Sequence, residues 1–486
     1  MQRKNLGLFL FFIYLHVFGV LPVFSHLQAS TLMVDKKKPT KNLSQNLDES
    51  QILQEAKDVY LYAYPLVSVV ITKNIMTNLE TLNETQGAPI NQIWHARTFP
   101  DENFRNIVRP NLDTYYSTAF IDLHQEPFLF EIPDTENRYY LIQLLDAYTN
   151  VFASLGKRTT GTKAQKFLLA GPKWVGEIPQ GFALIQAPTN LIWLIGRIQV
   201  NDPKKENEKI WALQNQFELK PLSNLGKIYQ PEKGKIDPLY IGKTPKEYVN
   251  SMDISTFFSI FAHALKEVAP VVEDQTIRKK LENLGIHAGQ DFTLAKFSVS
   301  LQEQLKDIPN FIQNSFETIG KTAKLHNGWQ MTNLQLGVYG TDYWFRAMVA
   351  YHGLGANIVQ DAIYPTAILD GQQQVLNSEK NYILHFSAEE IPKVQAFWSL
   401  TVYNEEGFLA KNSIHRFSLS DRDPLKYNKD GSLDFYIQRT APKKNQQNNW
   451  LPTPEQGNFT LTLRAYWPDP VMLTENWNLP AIRQVK

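Results

Sequence analysis

Leu191-Ile-Trp-Leu-Ile195-Gly-Arg197-Ile-Gln-Val200-Asn-Asp202-Pro203 is the stretch from which the architecture can be read. An apolar, β-branched run ends on Asn-Asp-Pro, so a strand runs into a turn. Far downstream, Arg464-Ala-Tyr466-Trp467-Pro468-Asp469-Pro470 has the same close: an arginine, then Asp-Pro five residues on. Upstream of each lies a second ordered match. Ile132-Pro133, then Tyr139 and Leu141, parallels Ile391-Pro392, then Trp398 and Leu400, at an offset of 259 residues. Ordered self-similarity of this kind marks a repeated supersecondary unit, so a β domain is expected twice in the chain.

The sequence around these matches has the texture of short strands. Tyr116–Asp122, Phe128–Ile132, Tyr139–Leu145 and Lys166–Ala170 are separated by Pro-Asp and Gly-Pro. After Ala362 the same texture returns, with Asp-Gly at 370–371 and 430–431 as hairpin signals. Between the two regions, Phe257, Phe258, Phe261, Ala262 and Leu265 form a helical stripe, and Asp342 to Tyr351 reads as a further helix capped by Thr341. Ile52 to Ala63 has helical spacing, with Pro65 expected to kink or break the helix. The predicted fold is therefore β-rich α+β: two β-sandwich or jelly-roll-like domains, an N-terminal helical segment and a helical insert. Residues 49–202 hold the N-terminal helices and first β domain, 203–360 an irregular linker and helices, and 361–486 the second β domain.

Residues 1–29 have the layout of a secretory signal peptide. Arg3 and Lys4 precede an apolar run from Leu6 to Phe24, and small residues follow. Residues 30–48 are polar and read as a disordered lead-in. The expected location is periplasmic or secreted, with no membrane association after signal removal. The sequence has no cysteine in 486 residues, which excludes disulfides, a thiolate metal site and a cysteine nucleophile. With 49 basic and 48 acidic residues spread evenly, nothing concentrates the basic face that nucleic-acid binding needs.

Motifs that specify a reaction are missing: there is no Gly-x-Ser-x-Gly, His-Glu-x-x-His, Walker loop or Gly-x-Gly-x-x-Gly. No metal site or cofactor is indicated. Asp421-Arg-Asp423 after His415 offers two carboxylates to a cation, but a solvated loop explains them as well. The more informative pattern lies in the first β region, where Arg109-Pro-Asn111-Leu-Asp113-Thr-Tyr115-Tyr116 is followed by Asp146-Ala-Tyr148-Thr-Asn150 and then Arg158-Thr-Thr160. If these segments are strands, Asn111, Asp113 and Tyr115 share one face, and Asp146, Tyr148 and Asn150 form a similar row. Asp113 and Asp146 are then the candidate acid and base, and Tyr115 and Tyr148 the candidate proton donors. Arg109, Asn111, Tyr116, Asn150, Arg158 and Thr160 are candidate ligand-binding groups. Arg–Asp pairs and buried tyrosines also tie β-sandwiches together, and at this stage both readings stand.

The same residues carry a resemblance. Arg109-Pro-Asn111-x-Asp113-Thr-x-Tyr116-Ser117, Asp146-Ala-Tyr148-Thr-Asn150 and Arg158-Thr-Thr-Gly161 resemble the domain of unknown function numbered 1254. Leu354-Gly355-Ala-Asn357, Tyr364-Pro365, Phe397-Trp398-Ser399, Asp421-Arg-Asp423 and Leu463-Arg464-x-Tyr466-Trp467-Pro468 resemble its usual partner, domain 1214. The resemblance implies a two-domain, sandwich-rich exported bacterial protein with helical additions, and it carries no activity or catalytic residues across. The functional expectation is recognition of a small polar molecule in a pocket of the first β domain, with acid–base turnover open. The alternatives are a carbohydrate or polar-ligand binding module without catalysis, and an envelope interaction protein with no small-molecule site.

Overall fold

Asp48 caps the first helix, α1 (Glu49–Met76), with a capping box. Its carboxylate accepts from the Gln51 amide at 2.8 Å, and the Gln51 side chain accepts from the Asp48 amide at 3.2 Å. The computed structural model describes residues 48–105, 108–268, 274–322 and 325–485. The expected signal peptide, and the lead-in up to residue 47, lie outside the described residues. Helix α1 runs unbroken through Pro65, against the expected kink or break. Proline removes one backbone bond, but every residue from Tyr62 to Val69 is buried, and this packing keeps the helix whole.

The first β half comprises β1 (Trp94–His95), β2 (Thr114–Asp122), β3 (Phe128–Ile132), β4 (Tyr140–Asp146), β5 (Val151–Gly156), β6 (Gln165–Ala170), β7 (Ala183–Gln186) and β8 (Leu191–Gln199). Asp202 then caps α2 (Pro203–Gln214), with proline in its first turn, and β9 (Glu218–Pro221) follows. The strands form two sheets, ordered β1-β2-β8-β4-β5 and β7-β6-β3-β9. Their facing side chains, among them Ile121, Phe130, Ile142, Leu169 and Leu194, share one core.

Helices α3 (Pro245–Asn250), α4 (Ile254–Glu267), α5 (Gln275–Asn283), α6 (Val299–Lys306), α7 (Ile308–Thr322) and α8 (Tyr343–Gly353) gather around α1. Tyr60 stacks on Phe257 at 4.2 Å, and Tyr62 meets Tyr343 edge-on at 5.1 Å. Among the described residues, α1 is the one helix long and apolar enough to cross a membrane, and here it is the buried centre of these helices. Full burial of Val59, Leu66, Val67, Val69 and Ile71 alone contributes on the order of 10 kcal/mol.

The second β half contains β10 (Leu325–His326), β11 (Trp329–Gln330), β12 (Ala362–Ile363), β13 (Thr366–Ala367), β14 (Asn381–Phe386), β15 (Val394–Asn404), β16 (Ser418–Ser420), β17 (Leu433–Ile437), β18 (Trp450–Leu451), β19 (Phe459–Pro468) and β20 (Arg483–Val485). One sheet runs β10-β11-β13-β19-β15-β16, with β12 also on β19, and the other runs β18-β17-β14-β20.

The two halves have matching topology. In each, a long inner strand (β8 or β19) pairs with β4 or β15, which pairs in turn with β5 or β16. The smaller sheets correspond strand for strand, and each holds one parallel pair, β6–β7 and β17–β18. Each long inner strand leads into a helical turn capped by Asp-Pro, at Asp202 and Asp469. The register corrects the sequence match by one residue. Leu141 lies opposite Arg197 and Ser399 opposite Arg464, so Tyr139 corresponds to Phe397 rather than Trp398. One residue decides the face of a strand. Trp398 fills the core of the second half, whereas Phe397 points out of it and meets Tyr139 at 5.4 Å. The fold is β-rich α+β, with no closed barrel among the described residues.

Candidate functional site

In β8, Ile192, Leu194 and Ile198 face the core of the first half, so alternation puts Arg197 on the outer face. In β19, Leu461, Leu463 and Ala465 face the second core, which puts Arg464 and Tyr466 outside. These outer faces meet at a small apolar cluster of Tyr139, Leu141, Ala362, Phe397 and Tyr466.

Ion pairs are exchanged between the halves on either side of this cluster. Asp113 of the first half accepts from Arg422, from the Ser399 hydroxyl at 2.7 Å and from the Tyr466 hydroxyl at 3.3 Å, all in the second. Asp361 of the second half accepts from Arg158 at 2.6 Å and from the Ser154 hydroxyl at 2.6 Å, both in the first. Each Asp stands three residues before a tyrosine, Tyr116 or Tyr364, so the halves contact one another as two-fold related subunits do.

The inner arginines are not paired in this way. Arg197 lies across the ladder from Tyr116, its guanidinium 5.0 Å from the ring centre. Arg197 Nη1 donates to Gln143 Oε1 at 2.9 Å, Gln143 in turn donates to the Gly355 carbonyl at 2.8 Å, and the Tyr116 hydroxyl is a further hydrogen-bonding neighbour of the guanidinium. Arg464 donates to the Thr401 hydroxyl at 3.2 Å and to the Arg109 carbonyl at 2.8 Å. Neither forms an ion pair among the described residues, yet Arg197 is 8% exposed and Arg464 3%. Burial works against both charges. The groups around them outweigh it and raise both pKa values: the phenolic oxygens of Tyr116, Tyr364 and Tyr466 for Arg197, and Tyr403, Tyr466 and then the Asp113 carboxylate for Arg464. Tyr364 stands in the field of both arginines, and burial pushes its hydroxyl up to about 12 against their pull. Arg109 keeps solvent-exposed surface beside Arg464 and Tyr403, and crowding of its guanidinium by these neighbours, which strips away water, lowers its pKa, with the Arg464 charge acting further down in the same direction.

The two polar rows expected from the sequence are turns at strand ends, with Tyr115 alone of the first row inside β2 and Asp146 alone of the second inside β4. Asn111 Oδ1 accepts from the amides of Asp113 and Thr114 at 2.9 and 2.8 Å, so residues 111–114 turn and β2 begins at Thr114. Tyr115 points into the first core and donates to Asn207 at 2.7 Å, away from Tyr116. Asp146 closes a second turn by accepting from the amides of Tyr148 and Asn150, both at 2.9 Å, and from the Asn150 side chain at 3.0 Å. Tyr148 packs among the helices. Thr160 is exposed, and its hydroxyl accepts from the Gly156 amide at 3.1 Å. The expected residues thus divide. Arg109, Asn111, Asp113, Tyr116 and Arg158 border the seam between the halves, while Asp146 and Tyr148 neighbour Arg346 of α8 and Asn150 accepts from the Tyr339 amide.

Asp421 accepts from the Trp398 amide and Asp423 from the Ser420 amide, so this cluster is part of the sheet edge. Among the described residues, no group of three His, Asp or Glu side chains could hold a metal ion. A separate cleft of about 360 Å³, lined by Lys73, Asp122, His263 and Glu267, carries both signs of charge and none of the expected residues.

Residues 90–221 match the protein of unknown function DUF1254, and residues 361–470 match the protein of unknown function DUF1214. The two matches lie in tandem along the chain. Arg197, Tyr116, Asp113 and Arg158 belong to the DUF1254 match, and Arg464, Tyr364, Asp361 and Arg422 to the DUF1214 match, so the seam is where the two meet. The crystal structure of the VPA0106 protein from Vibrio parahaemolyticus is similar at 23% identity and a TM-score of 0.65, covering 90% of this chain and all of that one, and shows the same fold. An uncharacterized protein from Burkholderia cenocepacia is more distant, at 11% identity and a TM-score of 0.42, covering 90% of this chain and 96% of its own. No curated protein matches the chain.

Sequence reasoning about the site missed Arg197 and Arg464. Their signal was present in the repeat itself: a charged residue at the same place in two otherwise apolar strands.

Proposed function

We propose that the chain recognises a small anionic molecule, in the periplasm or outside the cell, at the seam between two β-sandwich halves. Arg197 and Arg464 hold the anion, Arg109 guards the exposed side, and the hydroxyls of Tyr116 and Tyr364 supply further hydrogen bonds. One observation carries this reading: two guanidinium groups are more than nine-tenths buried and have no carboxylate partner among the described residues. A buried charge with no directly paired counter-charge is costly; neighbouring phenols, and for Arg464 the field of Asp113, meet part of that cost, and a bound anion offsets the rest. Binding without turnover is favoured, because the oxygens of Asp113 and Asp146 are already committed to protein donors.

Calorimetric titration of the full chain against carboxylates, phosphate esters and neutral sugars tests the proposal. An anionic hit is expected, with its Kd raised at least about 30-fold in Arg197→Gln and in Arg464→Gln, as loss of a buried charged partner implies. Neutral sugars binding with equal strength, or anion binding unchanged in both variants, would refute it.

A further inference from the structure

Away from the seam, a cleft opens where the last turns of α1 meet α4 and the ends of β2 and β8. Val70, Lys73 and Asn74 stand at i, i+3 and i+4 on α1. Ile260, His263, Ala264 and Glu267 continue the same spacing on α4, so each helix gives one face to the opening. The other face of α4, with Phe257, Phe258, Phe261 and Leu265, is buried in the helical core. Ile90, Asp122 and Leu191 complete the walls. At about 360 Å³ the cleft falls within the size of small-molecule sites, about 300–1,000 Å³, and like them it sets a few polar groups among apolar ones.

Charge in this cleft is graded by depth. Lys73 is half-buried, while Asp122 and Glu267 are exposed and form the rim. Most of the polar lining is already engaged. Glu267 meets His124 Nδ1 at 3.2 Å, His263 meets Asp291 at 2.8 Å, and Asn74 donates to the Tyr240 hydroxyl at 2.9 Å. Asp122 Oδ1 accepts from the His124 amide at 2.9 Å. The Lys73 ammonium has neither an ion pair nor a hydrogen bond among the described residues. Burial draws its pKa down, and the field of Asp122 acts in the opposite sense.

We propose that this cleft binds a small aliphatic amino acid as its zwitterion, independently of the anion site at the seam. The ligand carboxylate meets the Lys73 ammonium, and the ligand ammonium meets the rim carboxylates of Asp122 and Glu267. Its side chain lies against Val70, Ile90 and Ile260. Charge selects this class of ligand. A monocarboxylate would pass two rim carboxylates to reach the lysine, and an alkylamine would set its own charge against Lys73. A molecule that carries both charges meets an opposite charge at each end.

The test is calorimetric titration of the full chain with leucine, and with isocaproate and isoamylamine, which each keep one of its charges. Leucine is expected to bind, and both analogues at least about tenfold more weakly, as loss of one charge partner implies. Lys73→Met keeps the apolar stem and loses the charge, so its Kd for leucine should also rise at least about tenfold. Arg197→Gln, at the seam, should leave that Kd unchanged. Should Lys73→Met fail to fold, Asp122→Asn takes its place, because it removes a rim charge and keeps an acceptor for the His124 amide. No leucine binding, an analogue that binds as tightly, an unchanged Kd in the cleft variant, or a loss confined to Arg197→Gln would overturn the proposal.

Discussion

Replacing Asp113 with alanine removes the carboxylate that Arg422 meets across the seam and leaves the Ser399 and Tyr466 hydroxyls without their acceptor. The Asp113 side chain is 1% exposed and Arg422 16%, so the orphaned guanidinium has little water to turn to. Breaking a buried pair from one side costs about 3–5 kcal/mol. At about 2.1 cal/mol/K per residue, a unit spanning residues 47–486 shifts its Tm by roughly 1 °C for each kcal/mol. Asp113→Ala should therefore melt about 3–5 °C lower in differential scanning calorimetry. The exchanged pair gives an internal control. Asp361 and Arg158 are 2% and 21% exposed, so Asp361→Ala should fall within about 1 kcal/mol of Asp113→Ala. Adding Arg422→Met to Asp113→Ala removes the orphaned charge and should recover part of the loss. A loss below about 1 kcal/mol in either single variant, or no recovery in the double, would show that these pairs do not lock the halves together.

Other consequences follow from single residues. Asp421 has its pKa raised to about 6 by burial, above its unfolded value, so its destabilising effect is full above pH 6 and fades towards pH 4. Asp421→Asn should gain on the order of 2 kcal/mol at pH 7 and almost nothing at pH 4, read as Tm at the two pH values. His95 has its pKa lowered to about 3 by burial, so its contribution is present above pH 6.5 and lost as pH falls towards 3. His95→Gln should flatten the acid limb of the stability curve over that window. At Gly355, with φ at 84°, an added Cβ would lie 2.7 Å from Ile195 Cδ1 and 3.2 Å from the Trp193 ring. Gly355→Ala should cost at least about 1–3 kcal/mol in urea unfolding, and a neutral result would mean that this junction yields.

The fold was legible wherever local chemistry decides it. The apolar run of β8 and the helical stripe of α4 behave as their spacing says, whereas Asn-Asp-Pro at 201–203, read as a turn into an irregular linker, caps a helix over Pro203–Gln214. The site was legible only in fragments. Asn111 and Asp146 have spacings that look like strand faces, but short polar side chains that reach their own backbone make turns instead. The partners that matter lie too far off for any local pattern to reveal: Arg158 is 203 residues from Asp361, and Asp113 is 309 from Arg422. An arginine reads the same in a sequence whether water or another domain receives it. What betrays Arg197 and Arg464 is that each interrupts an apolar strand at the same point of a repeat.

The placement of α1 has a consequence for the order in which the molecule assembles. The helix is finished at Met76, yet α8, which packs on it closely, ends only at Gly353. At the usual 5–20 residues per second of synthesis, roughly 15–55 s pass between the two. Through that interval a helix apolar enough to enter a lipid bilayer gains its partners one by one, from Tyr148 through α3 to α7, and α8 completes the set. A chain that stops short of α8 leaves the side of α1 that α8 covers exposed, and aggregation through that side is its expected fate.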